Sequence, residues 1–67
     1  MLKIIVNGKE EITTENITLL NFIYSKKLNP DRIIIEHNLK VIYKNEWDTL
    51  ILKNHDTLEI LSLVTGG

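Results

Sequence analysis

The sequence predicts an α+β fold, a mixed four- to five-stranded sheet packed on one helix. Three observations carry this prediction. Short aliphatic and β-branched runs recur at the start, middle and end of the chain, an Asn7-Gly8 dipeptide follows the first run, and one segment alone spaces its apolar residues as a helix does. A lone amphipathic helix has one stripe to bury, and a sheet has a face to offer it.

Leu2 to Val6 alternates, with Leu2, Ile4 and Val6 on one face and Lys3 and Ile5 on the other. Asn7-Gly8 suits a two-residue type I′ turn, where both positions need positive φ. A second strand over about Lys9 to Thr14 is polar except for Ile12, as expected of an edge strand guarded by charge. Thr18 then stands as N-cap to a helix expected over Leu19 to Leu28, its stripe built from Leu19, Leu20, Phe22, Ile23, Tyr24 and Leu28. Lys26 and Lys27 are expected in its last turn, and Asn29-Pro30 to end it, because the residue before proline disfavours helical angles.

Arg32 to His37 reads as a buried strand, Asn38-Leu39 as a turn, and Lys40 to Tyr43 as a short returning strand. Lys44 to Thr49 lacks a strand pattern and suggests a loop with one helical turn, in which Trp47 lids the edge of the core. Leu50 to Leu52 bridges to a second turn at Lys53 to Asp56, and a last strand runs from Thr57 to about Val64. The simplest closed arrangement sets this strand parallel to the first at the centre of the sheet. Leu2, Ile4, Val6, Phe22, Ile23, Ile34, Leu58 and Ile60 then form the core of a β-grasp, with the parity of the Ile33–Ile35 run left open by its lack of alternation. Asp48, Asp56 and Glu59 read as solvated charges.

Composition narrows the function. With 67 residues the chain is one domain, and the absence of cysteine excludes disulfides and thiolate metal sites. A net charge of −1 lacks the basic excess that a nucleic-acid backbone attracts. No apolar run approaches the roughly 20 residues of a membrane-spanning helix, so a cytoplasmic protein is the default expectation. His37 and His55 stand on separate turns without paired carboxylates at metal-ligand spacing, and neither Ser25 nor Ser62 has a nucleophile elbow, so no metal site and no enzyme activity are expected.

The end of the sequence is the most suggestive stretch. Val64-Thr65-Gly66-Gly67 places two of the three glycines at the last two positions, where a fold has no use for them. The expected organisation is a domain over residues 1–63 and a flexible Gly-Gly tail over 64–67, able to reach about 13 Å when extended. Such a thin tail would present the Gly67 carboxylate to another protein's active site.

Taken together, these residues resemble the thiamine-biosynthesis sulfur-carrier family, ThiS, whose members share the ubiquitin-like β-grasp. The resemblance spans nearly the whole chain: Val6-Asn7-Gly8, Thr18-Leu19-Leu20, Ile35-Glu36-His37-Asn38, Lys44-Asn45-Glu46-Trp47, Asp56-Thr57-Leu58-Glu59-Ile60 and Val64-Thr65-Gly66-Gly67. Departures are His55, where the family often has Gly, Tyr43, where it often has Pro, and Thr65, where a small residue is common.

The resemblance implies that Gly67 is the reactive site and that Val64, Thr65 and Gly66 thread it into a partner. An E1-like, ThiF-type adenylating enzyme would use ATP to activate the Gly67 carboxylate, a persulfide sulfur donor would convert it to a thiocarboxylate, and a ThiG-type thiazole synthase would accept the sulfur. The carrier itself is then a protein co-substrate with no bound cofactor. On the sheet face away from the helix, Ile5, Leu61 and Leu63 are expected to form the partner-binding patch. Two other destinations for the same tail stay open, the small subunit of molybdopterin synthase and a ubiquitin-like protein modifier. A non-covalent β-grasp binding module is the alternative of another class.

Overall fold

A computed structural model describes residues 1–63. The chain runs through β1 (Leu2–Val6), β2 (Lys9–Thr13), α1 (Leu19–Ser25), β3 (Ile33–His37), β4 (Lys40–Ile42) and β5 (Thr57–Ser62), with 3-10 turns at Pro30–Arg32 and Lys44–Glu46. The strands form one five-stranded sheet in the order β2-β1-β5-β3-β4. β5 lies at its centre, parallel to β1 and antiparallel to β3. This is the ubiquitin-like β-grasp, with α1 as the crossover that lets the two parallel strands neighbour each other.

Both hairpins turn as mirror-image turns do. Asn7 and Gly8 have φ of 50° and 81°, and Asn38 and Leu39 have φ of 51° and 71°. Leu39 is the unusual one, since a leucine in the left-handed region is disfavoured by about 1–2 kcal/mol. It is also 87% exposed.

α1 has only seven residues, well short of the roughly 12–15 that a helix needs to persist alone in water. Tertiary partners supply what length does not. Leu19 N–H donates to Leu50 O, Leu20 N–H to Trp47 O, and Asn21 N–H to the Thr18 hydroxyl at 3.1 Å, so the donors of the first turn are satisfied. The helix ends earlier than the sequence suggests. Lys26 is its C-cap, Lys27 takes φ of 60°, Lys27 N–H bonds Tyr24 O, and Leu28 N–H bonds Ile23 O. That pair of bonds is a Schellman closure, with Leu28 folding back onto the core. The stop is therefore made by Lys27 rather than by Pro30, and neither lysine belongs to the last helical turn.

The core joins Ile4 and Val6 of β1, Leu19, Phe22 and Ile23 of α1, Ile33 and Ile35 of β3, Ile42, Trp47, Leu52 and Leu58. Two expectations are corrected. Ile33 and Ile35 point inward while Ile34 is 39% exposed, because the strand begins on a buried residue and so takes the opposite parity. Tyr24 is 56% exposed, because about 3.6 residues per turn set it well round the helix from the buried stripe of Leu19, Phe22 and Ile23. Trp47 is 2% exposed, with its indole N–H donating to Ile42 O at 3.0 Å, so it closes the core on the helix side as expected.

Candidate functional site

Val64, Thr65, Gly66 and Gly67 lie outside the described residues. What the structure shows is the base from which they emerge. Leu63 N–H donates to Arg32 O at 2.7 Å on one side of the chain, and the Asn7 side chain bonds the Ile60 backbone on the other. The chain therefore arrives at residue 64 from the central strand of the sheet.

Strand alternation sets Thr57, Glu59 and Leu61, and then Leu63, on the sheet face opposite α1, together with Ile5 of β1 and Ile34 and Glu36 of β3. Leu61 is 52% exposed and Leu63 48% exposed. The residue directly across from Leu61 is Ile34. Ile5 shares the face but sits across from Thr57, four residues before Leu61 and so about 13 Å along the strand. The apolar group at the tail end is thus Ile34, Leu61 and Leu63, with Ile5 toward the other end. Ile34 escaped the sequence reading because its parity was assigned to the core.

Beside that group, Glu36 and Glu59 stand directly opposite each other. Two like charges in cross-strand register are unfavourable in an isolated sheet, and the pair gives the outer face an acidic centre next to its apolar end. On the helix side of the tail base, an open depression of about 350 Å³ is lined by residues including Val6, Leu28 and Ile60. A Lys26–Glu11 ion pair of 2.6 Å lies at its rim.

At the start of β5 the sequence reading of Asp56 is overturned. The residue is 7% exposed, and its carboxylate accepts from Lys53 N–H at 2.8 Å, Asn38 Nδ2 at 3.1 Å and His37 Nε2 at 2.8 Å. Burial alone pushes this carboxyl up. The bonds from His37, Lys53 and Asn38, with the charge His37 carries when protonated, outweigh it and hold Asp56 below its ordinary value of 3.8. Asp56 O accepts from Ile5 N–H at 2.9 Å, and Asn38 Oδ1 accepts from Thr57 N–H at 2.8 Å. One buried carboxylate thus ties the β3–β4 turn to the place where β5 joins β1. Asp48 and Glu59 show no such network: Asp48 is exposed and Glu59 half-buried on the outer face.

The departures at positions 55 and 43 have local explanations. His55 has φ of 70°, a conformation glycine adopts freely. Tyr43 has φ of −80° and ψ of 152°, close to what proline imposes. Among the described residues no three His, Cys, Asp or Glu side chains converge as metal ligands, and no helix is long and apolar enough to cross a membrane.

Comparison with known proteins decides the family. The sequence model of the ThiS family matches residues 3–67. This chain belongs to the ThiS family. The protein ycf40 of Trieres chinensis is 31% identical over 62 residues, spanning 92% of this chain and 85% of that one. A thiazole synthase from Paramagnetospirillum magneticum is 23% identical over 66 residues, but this ThiS-family chain spans only 20% of its length. Among solved structures, the thiamine biosynthesis protein ThiS of Geobacter metallireducens superposes with a TM-score of 0.85 at 23% identity, covering 98% of this chain and 100% of that one. At that identity the superposition establishes the fold.

Proposed function

We propose that this ThiS-family protein is a sulfur carrier of thiamine biosynthesis and that the carboxyl group of Gly67 is where sulfur is loaded. The observation that carries the reading is the family match, which runs from the first strand through the final Gly-Gly. A carboxylate is a poor acyl donor. Its oxygen attacks the α-phosphorus of ATP and expels pyrophosphate, giving an acyl-adenylate, and a persulfide sulfur then displaces AMP. Cleavage of the remaining S–S bond by a thiol leaves the thiocarboxylate. The sulfur is a softer and stronger nucleophile than the oxygen it replaced and passes to a thiazole synthase. That a chain named thiazole synthase contains a stretch similar over 98% of this sequence supports that recipient.

The body contributes recognition, and residues 1–63 act as the domain from which the 64–67 tail is offered. Ile5, Leu61 and Leu63, with Ile34 added by the register, form the face that the adenylating enzyme and the synthase use in turn. The acidic Glu36–Glu59 pair beside it fits a partner surface that flanks an apolar contact with lysine or arginine. The cytoplasm is the proposed location, where ATP and a persulfide donor meet the carrier. Incubation with ATP and a ThiF-type enzyme should give pyrophosphate exchange that disappears when Gly67 is deleted. Mass spectrometry after addition of a persulfide donor should show one carboxyl oxygen replaced by sulfur. A ladder of isopeptide conjugates on lysine would instead indicate a protein modifier.

A further inference from the structure

Asn7 is used twice in this fold. Its φ of 50° provides the first position of the β1–β2 turn, a task that glycine does equally well. Its side chain does something the turn does not require. It leaves β1 to reach β5, where Nδ2 donates to Ile60 O at 3.2 Å and Oδ1 accepts from Ile60 N–H at 2.7 Å. One amide thus satisfies both backbone groups of a residue 53 positions away.

The placement matters because of where β1 stops. The β1–β5 register runs only through Ile5↔Thr57 and Val6↔Leu58, followed by Asn7 N–H donating to Leu58 O at 2.9 Å. The chain then turns away into β2, while β5 continues to Ser62. From Ile60 onward, the edge of β5 that faced β1 has no strand beside it, and the Asn7 amide stands in for the missing one. On the opposite edge, β3 pairs with β5 as far as Ser62, and Leu63 N–H closes on Arg32 O at 2.7 Å. The last strand is therefore gripped on both edges within four residues of position 64.

We propose that Asn7 is a positioning residue for carrier activity: its amide is a strut that fixes the line along which the chain leaves the sheet toward Gly67. The proposal rests on the carrier reading. A partner must order whatever chain is not already ordered, and each added residue lowers apparent affinity without touching the chemistry at the terminal carboxylate. With the strut in place, residues 60–63 are already held on both edges of β5. Without it, the end of β5 hangs on β3 alone and the partner must also fix part of 60–63. The signature is a raised KM at unchanged kcat.

Asn7→Gly tests this, because it keeps a turn residue suited to positive φ and removes the amide, while the backbone freedom it adds acts on overall stability. In the full chain, Ile60 N–H should exchange with solvent at least about tenfold faster than in the parent. In ATP–pyrophosphate exchange with a ThiF-type enzyme, well below the melting temperature, KM for the carrier should rise about tenfold while kcat stays within about twofold. Asn7→Asp retains the acceptor for Ile60 N–H but sets a carboxylate oxygen against Ile60 O, and should fall between the two. Thr18→Ala loses the helix cap instead and should destabilise the fold while leaving KM within about twofold.

The strut is overturned if Ile60 N–H exchange is unchanged in Asn7→Gly, if KM stays at the parent value although that exchange accelerates, or if Thr18→Ala raises KM as much. Those results leave the carrier reading standing. Absence of Gly67-dependent exchange in the parent protein overturns the carrier reading and, with it, the strut's role.

Discussion

Where β5 begins, Asp56 is 7% exposed and its carboxylate accepts three hydrogen bonds from two segments, the turn at Lys53 and the adjacent residues His37 and Asn38. Where β5 ends, Leu61 is 52% and Leu63 48% exposed, and the strand is held by the amide of Asn7, the β3 ladder and one carbonyl, that of Arg32. The same strand is locked into the body at one end and presented at the other. The first end fixes the fold. The second keeps apolar area uncovered at the base from which residues 64–67 proceed, which is where a partner that handles the terminus would have to bind.

Breaking the locked end should have the larger effect on stability. Asp56→Ala removes the acceptor for Lys53 N–H, Asn38 Nδ2 and His37 Nε2 in a nearly buried site. It should cost about 3 kcal/mol in urea unfolding, given that bonds to a charged group contribute about 1.5–3 kcal/mol each with partial solvent compensation. Breaking the presented end should do the reverse. Leu61→Lys puts a charge on an exposed, outward position, so stability should move by less than about 0.5 kcal/mol. KM in adenylation should rise about tenfold or more, as for truncation of an interface anchor. Unchanged adenylation kinetics would remove Leu61 from the proposed partner face.

Acid sharpens the contrast. The folded state holds Asp56 below its ordinary value of 3.8, so its stabilisation is fully present above that value and is lost as pH falls through the lower, folded one. Stability measured down the acid limb should drop in that window, and the corresponding slope should be weaker in Asp56→Asn. The smallest effect is expected at His55, whose φ is 70°. His55→Gly relieves a left-handed side chain but loosens the unfolded chain, so a net gain of about 0.5 kcal/mol is expected by thermal denaturation.

Much of this was legible in the sequence because local chemistry and global fold agree. Asn7-Gly8, the alternation of Leu2 to Val6 and the Thr18 cap each call for the structure they have. The failures share a cause. Ile33-Ile34-Ile35 carries no alternation, so its parity is set by pairing with β5 and not by pattern. The stop at Lys27 depends on a left-handed lysine that no propensity favours. Asp56 and Asn7 looked like ordinary turn residues, since a turn explains an Asp or Asn without further partners. Their long-range bonds became visible only once His37, Asn38 and Ile60 were beside them. Of the candidate site, the outward direction of Leu61 was legible, its neighbour Ile34 was not, and Gly67 rests on the family resemblance.

The most direct test adds one alanine after Gly67 and measures ATP–pyrophosphate exchange with a ThiF-type enzyme alongside thermal melting. The account predicts that exchange vanishes while the melting curve is superimposable on that of the parent chain. Full exchange by the extended protein, with the alanine still in place by mass spectrometry, would contradict it.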